Sequence, residues 1–275
     1  MTYTDLSLRI AGFLLMLVLA LPAYSQLPER GLCAHRGAMD THPENTLPAF
    51  RAAIAAGAQM IEFDVWLSKD GHMAVIHDAT VDRTTDGSGK VSDLDWAELR
   101  ALDAGGWMDP KFAGVTIPSL EEVLDIMPRN IWLNVHIKED EVLPEQVALL
   151  LQRKGRLHQS FLACSGKAAT AAQKAVPALL ICNMDRRDTN DHYATETIRR
   201  NSAFIQIPKS GTPLSPESLQ ALRRLGVKIN YFPAESIDEA DSLLQAGVDF
   251  PLVNDIVGFM QQAPKLGLVP VKPEF

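Results

Sequence analysis

Glu62 and Asp64 stand two residues apart and alternate with the apolar residues Ile61, Phe63 and Val65. In an extended strand that spacing puts both carboxylates on one face. Two like charges a few ångströms apart are costly unless a cation or a proton lies between them. Their hard oxygens suit Mg2+ or Ca2+. The flanking run is apolar, so the acids face an interior rather than a surface. Asp70-Gly71 then marks a tight turn, and a strand returning over residues 73–77 brings His77 back beside residues 62–64. Asp78 follows and can orient the His77 ring. His35 closes an earlier apolar stretch, and Arg36 beside it offers a planar fork that grips a phosphate through two donors. Two histidines flanking a cation suit general acid–base cleavage of an ester, one activating the nucleophile and one protonating the leaving oxygen. Either histidine alone reads as a structural imidazole. The acidic pair and the arginine change that reading.

Such groups need a scaffold. From residue 32 onward, short apolar runs alternate with amphipathic stretches. Strands are predicted over residues 32–34, 60–67, 131–137, 161–164, 179–182, 203–207, 227–232 and 250–253, with 73–77 as an extra hairpin arm. Helical patterns fill the gaps, for example over 143–153, 216–225 and 237–246. Asn45 or Thr46 caps a helix with Pro48 in its first turn and Gly57 at its end. Ser119 caps another over 120–127, with Glu122 at capping-box spacing. Residues 79–118 are polar and form an excursion with one short helix over 95–102. Eight strands with helices between neighbours imply an α/β fold, a (β/α)8 TIM barrel. An open doubly wound sheet is the alternative, but no glycine-rich turn follows the first strand. In a barrel the working groups sit at the C-terminal ends of strands. That rule selects His35, Arg36, Glu62, Asp64, His136 and Lys138, then Cys164-Ser165, Asn183, Gln206, Asn230 and Asn254-Asp255.

Composition bounds the rest. Of 275 residues, 47% are hydrophobic and 22% charged, as in a globular domain. A net charge of −8 gives no electrostatic case for nucleic acid or an anionic membrane as partner. Arg9 precedes an apolar run over residues 10–21, then Pro22 and the small-x-small triplet Ala23-Tyr24-Ser25. The run is shorter than the roughly 20 residues of a bilayer span. It reads as a signal peptide over residues 1–25, cut after Ser25, with an uncleaved anchor as the alternative. The mature 26–275 domain is then periplasmic or secreted, with no stable membrane span. Cys33, Cys164 and Cys182 are too few for a disulfide framework and read as buried thiols; a Cys164–Cys182 bridge is the alternative.

The ordered series Ala34-His35-Arg36-Gly37, Pro43-Glu44-Asn45-Thr46, Glu62-Phe63-Asp64-Val65, Lys69-Asp70-Gly71 and His77-Asp78 resembles the glycerophosphodiester phosphodiesterase family. The likeness continues through Asp82-Arg83-Thr84-Thr85-Asp86-Gly87-Ser88-Gly89 and Ile117-Pro118-Ser119-Leu120-Glu121-Glu122. It covers most of residues 32–138 and, more loosely, the rest of the barrel. The resemblance implies hydrolysis of a small-molecule glycerophosphodiester to glycerol 3-phosphate and an alcohol, with one divalent cation, often Mg2+ or Ca2+. It implies His35 and His77 as the acid–base pair, Glu62 and Asp64 as metal ligands, and Arg36 and Lys138 as phosphate contacts. Glu44 and Asn45 match a supporting polar pair, and residues 78–118 match an insertion over the barrel mouth.

Three departures stand out. The family usually offers Glu-x-Lys on the third strand, whereas this chain has His136-Ile137-Lys138. Strand parity keeps His136 pointing inward, so it can ligate through nitrogen, which opens the site to Mn2+ or Zn2+. A late Trp-Thr is replaced within Asn230-Tyr231-Phe232-Pro233, and a final Thr-Asp by Asn254-Asp255. Tyr231 or Phe232 is expected to wall the alcohol side, Phe232 being the one more expected in the core. Two rival readings are a phospholipase D of the sphingomyelinase D kind and a non-catalytic phosphodiester-binding barrel.

Overall fold

A computed structural model describes residues 26–275. The segment read as a signal peptide lies outside the described residues.

Eight parallel strands close on themselves. They are β1 (Cys33–Ala34), β2 (Met60–Leu67), β4 (Trp132–Ile137), β5 (Ser160–Cys164), β6 (Leu180–Asn183), β7 (Phe204–Pro208), β8 (Lys228–Phe232) and β9 (Phe250–Val253). The order runs β1-β9-β8-β7-β6-β5-β4-β2, and β1 pairs with β2 to complete the circle. β3 (Met73–Val75) is the hairpin arm, antiparallel to β2 with Val65 opposite Val75. Helices α1 (Leu47–Ala56), α3 (Leu120–Ile126), α4 (Leu143–Arg153), α5 (Gly166–Ala175), α6 (Asn190–Arg199), α7 (Pro216–Arg224), α8 (Ile237–Ala246) and α9 (Ile256–Gln261) follow successive barrel strands. This is the (β/α)8 barrel expected from the alternation of strand and helix.

Local chemistry sets the helix starts. The Thr46 side chain accepts from the Ala49 amide to begin α1. Ser119 and Glu122 bond reciprocally to begin α3. Gly37 lies in the left-handed region at φ 78°, and a Cβ there would sit 2.8 Å from the Ala49 backbone. The loop that presents His35 and Arg36 is thus packed directly onto α1.

Alternation within the strands builds two cores. Phe63, Val65, Leu133, Val135 and Leu162 face the helices and pack with Phe50, Leu124, Val147 and Leu151. The opposite faces point inward. Met60, Phe161, Phe204 and Phe250 come from the starts of their strands, so they collect at the N-terminal end of the barrel. Phe161 stacks on Phe204 at 3.9 Å, and Trp132 meets Phe204 edge-on at 5.2 Å. Each such fully buried side chain contributes about 1.5–3 kcal/mol. This floor closes one end, which leaves chemistry to the other. Cys33, Cys164 and Cys182 are all free and buried. Cys164 packs in the helix-facing core and Cys182 in the barrel interior, so the pair sits on opposite faces of the wall.

The excursion after His77 carries a core of its own. Val81, Val91, Leu99, Ala104 and Ile117 pack with Ala74 and Ile76 of the hairpin arm. Its one α-helix, α2 (Trp96–Ala101), is capped by Asp95 and Glu98. The segment returns to the barrel where Val75 donates to Pro118. Among the described residues no helix is long and apolar enough to cross a membrane.

Candidate active site

The site is built where β1, β2, β4 and β9 end. Period two aims Glu62 and Asp64 inward; Asp64 is fully buried and Glu62 is 3% exposed. Register places Asp64 opposite His136 on β4. His136 Nδ1 lies 3.3 Å from Asp64 Oδ1 and 3.6 Å from Glu62 Oε1. Lys138, two residues on, reaches Asp64 Oδ1 at 2.8 Å. Glu62 Oε2 accepts from the Arg36 amide at 3.0 Å, which holds β1's exit turn against β2. Arg36 adopts φ 53° and Asn45 φ 57°. A side chain in that region stores strain of order 1 kcal/mol, and such residues cluster at working sites. Asn45 donates its amide to Asp64 Oδ2 at 2.9 Å, and its carbonyl oxygen accepts from the Asp64 backbone at 3.2 Å.

His35 is 8% exposed. Its Nδ1 is 2.8 Å from Asn254 Oδ1, just beyond β9. An amide oxygen accepts, so Nδ1 carries the proton and Nε2 is the free nitrogen. Burial holds the His35 pKa below the ordinary range, against the pull of Glu62. His77 arrives on the hairpin as expected: Ile76 donates to the Asp64 carbonyl, and Trp66 donates to the carbonyl of His77 itself. Its Nδ1 is 2.6 Å from Asp78 Oδ1. Glu44 binds Arg36 Nη1 at 2.7 Å. Burial opposes ionisation of Glu44, yet Arg83 and Arg36 hold its carboxyl below the usual range. Arg83, from the insertion, binds both Glu44 and Asp78.

The Arg83 guanidinium also holds Asp78 down to about 2, with His77 adding to it. A depressed carboxyl stabilises the fold above its unfolded pKa of 3.8 and loses that contribution as pH falls through about 2. Asp78→Asn is therefore expected to be less stable than the parent at pH 6 by about 1 kcal/mol after solvent screening. The gap should close between pH 4 and 2, by roughly the interval of the shift. Denaturant unfolding at a series of pH values measures it, and a gap that does not change with pH contradicts it.

The three groups Glu62, Asp64 and His136 each offer a ligand atom, all within 4.8 Å of one another. Asp64 Oδ1, though close to Lys138, accepts no well-directed hydrogen bond. An under-used buried carboxylate oxygen beside a second carboxylate and an imidazole fits a divalent cation. Burial disfavours the Asp64 charge, but His136 and Lys138 more than offset it and hold the carboxyl well below its ordinary value.

The other strand-end candidates part ways. Asn183 turns outward to Thr197 on α6 at 2.9 Å, and Ser165 caps α5. Asn230 is fully buried, with neither amide atom bonded. Asp255 caps α9. Asn254 of this later group meets His35. Parity separates the two aromatics. Tyr231 packs outward with the helix-facing cluster of Ile205 and Leu222, while Phe232 packs on the barrel-interior cluster and also lies at the site, its ring 4.5 Å from that of His35. A cleft of about 470 Å³ opens beside Phe232, lined also by Arg186, Lys209 and Glu235.

Comparison with known proteins gives a consistent answer. The model of the Glycerophosphoryl diester phosphodiesterase family matches residues 35–257. A glycerophosphodiester phosphodiesterase of Bacillus altitudinis is 44% identical over 228 residues, covering 78% of this chain and 91% of the relative. One from Caldanaerobacter subterraneus subsp. tengcongensis is 30% identical over 249 residues, covering 81% and 93%. A solved phosphodiesterase from Oleispira antarctica, in complex with the product sn-glycerol-3-phosphate, superposes with a TM-score of 0.74 at 25% identity, covering 84% of this chain and 95% of that one.

Proposed function

The chain belongs to the glycerophosphoryl diester phosphodiesterase family, and from that membership we propose that it hydrolyses glycerophosphodiesters to glycerol 3-phosphate and an alcohol by histidine acid–base catalysis. One observation carries the proposal. His35 and His77 meet at the same barrel mouth around Glu62, Asp64 and His136, with Arg36 and Lys138 beside them. The product complex of the Oleispira antarctica relative supports the small-molecule substrate.

The partners of the two rings support a division of roles between them. His35 is held by a neutral amide, which fixes the tautomer with a lone pair on Nε2, so it takes the proton of the attacking water. His77 Nδ1 is committed to the Asp78 carboxylate, which leaves Nε2 to deliver a proton to the leaving alcohol oxygen. The water oxygen forms a bond to phosphorus, the bond from phosphorus to the alcohol oxygen breaks, and one proton enters at His35 while one leaves from His77. Arg36 and Lys138 orient the phosphate and balance its charge. Glu62, Asp64 and His136 would hold a divalent cation, which supplies Lewis-acid stabilisation of the phosphoryl oxygens. The cleft beside Phe232 takes the alcohol group.

A nitrogen ligand in place of a carboxylate shifts the site toward Mn2+ or Zn2+ relative to a wholly carboxylate one. His136→Glu is accordingly expected to move the optimum toward Mg2+ or Ca2+, by roughly tenfold in relative turnover. Assay of parent and variant across the four ions checks this, and a parent active with Ca2+ alone sinks it. Assay of glycerophosphocholine against sphingomyelin separates the proposal from the sphingomyelinase D reading.

A further inference from the structure

We propose that Arg83, carried by the insertion, is a positioning residue that ties the acid–base histidine His77 to the phosphate-binding Arg36 through two carboxylates. The proposal rests on the reading of His77 and Arg36 just given. Arg83 Nε is 2.6 Å from Asp78 Oδ2, and Nη2 is 3.1 Å from Asp78 Oδ1. On its other edge Nη2 is 2.8 Å from Glu44 Oε1, and Nη1 is 2.8 Å from Glu44 Oε2. Both carboxylates are thus bound through two contacts each by one planar group, a geometry that only a guanidinium can supply.

Beyond each carboxylate lies a working group. Asp78 Oδ1 holds His77 Nδ1 at 2.6 Å, and Glu44 Oε1 holds Arg36 Nη1 at 2.7 Å. Arg36 Nε in turn lies 3.6 Å from Asp64 Oδ2. The chain of groups alternates in sign from Asp64 through Arg36, Glu44 and Arg83 to Asp78. Glu44 is buried, its side chain only 4% exposed, so its shared position between two guanidiniums is fixed rather than solvated. The Arg83 side chain is 44% exposed, but the backbone on either side of it is held from behind. Val81 is fully buried in the insertion core, Thr84 and Thr85 are buried, and Thr85 Oγ1 donates to the Val81 carbonyl at 2.8 Å.

This arrangement gives the insertion a task beyond covering the mouth. The ring of His77 and the fork of Arg36 sit on separate loops, one after β3 and one after β1. Backbone contacts tie each loop to β2, the Arg36 amide to Glu62 and the His77 carbonyl to Trp66, but they leave the ring and the fork free to turn about their side-chain bonds. Arg83 links the two side chains through Asp78 and Glu44, and the segment that carries it rests on the insertion's small core. A displacement of about 1 Å in a reacting group can cost about 10²-fold in rate.

The test is steady-state kinetics on glycerophosphocholine for Arg83→Gln, Arg83→Lys, Asp78→Asn, Glu44→Gln and the two double variants with Arg83→Gln, each checked to be fully folded at the assay temperature. Arg83→Gln is expected to lower kcat/KM by about 10²-fold, with kcat falling through the His77 arm and KM rising through the Arg36 arm. Each double variant should lose little more than its worse single, because the three groups act as one unit. Arg83→Lys should recover only part of the activity, since an ammonium cannot bridge both carboxylates. Full kcat/KM in folded Arg83→Gln, or losses that multiply, overturns the proposal. If the parent turns over no glycerophosphodiester, the assigned chemistry fails instead. The network is then read through the low-field Nδ1 proton of His77 by NMR. Arg83→Gln should displace that signal, and an unmoved signal overturns the proposal.

Discussion

His35→Ala is expected to reduce turnover of a glycerophosphodiester by about 10³-fold or more while leaving the protein folded. The size follows from what the ring does and where it stands. His35 is nearly buried, its Nδ1 is committed to Asn254, and Phe232 lies against its face. No other imidazole at this point of the mouth can take its place, because His77 is bound to Asp78 on the hairpin side and His136 faces the two acids. Folding should tolerate the change, since the ring is at the open end of the barrel, away from the aromatic floor. The comparison is of kcat and thermal midpoint in parent and variant. A folded variant with more than about a tenth of the parent's kcat contradicts the assignment, since a lost acid–base group costs more.

Asp64→Asn is the second large effect. Asp64 has no exposure, and five groups converge on it: Lys138, His136, Arg36, Asn45 and, at longer range, His77. The amide keeps the shape and removes the charge. Lys138 then loses its closest counterion in a setting where its side chain is only 13% exposed. Breaking a buried pair from one side costs about 3–5 kcal/mol; relief of repulsion from Glu62 reduces this. Divalent-ion affinity should fall by at least about 10²-fold and turnover with it. Calorimetric titration with Mn2+ and Mg2+, alongside kcat, measures both. Unchanged ion affinity would show that the acids hold Lys138 and Arg36 rather than a cation.

How much of this was legible before folding depends on the range of the signal. Glu62 and Asp64 could be read because two-residue alternation is a local rule, and both acids do face inward. His77 could be read because an Asp-Gly turn fixes a hairpin within ten residues or so, and Val65 does pair with Val75. The barrel followed from repeated alternation, and most predicted strand ends fall within a residue of the observed ones. Asn45 at φ 57° carried a faint signal, since Asn tolerates that region. Other features had no such local trace. Asn254 meets His35 across 219 positions, and Arg83 meets Glu44 across 39. Arg83 lies in the motif Asp82-Arg83-Thr84-Thr85, but nothing in its neighbours says which carboxylates it will reach. Alternation also separates Tyr231 from Phe232, because placing Asn230 inward requires Phe232 inward and Tyr231 outward. The excursion looked polar because its apolar residues are spread along the sequence; they converge only when Val81, Val91, Leu99 and Ile117 fold onto the hairpin arm.

The central claim is that His35 and His77, working around Glu62, Asp64 and His136, release glycerol 3-phosphate from a glycerophosphodiester. Enzymatic detection of glycerol 3-phosphate from glycerophosphocholine tests it most directly, with the purified protein stripped by chelation and then resupplied in turn with Mg2+, Ca2+, Mn2+ and Zn2+. The account predicts no release by the stripped protein, and recovery on adding at least one of these ions in the parent but not in His35→Ala. No release with any of the four ions, or equal release from the parent and His35→Ala, would contradict it.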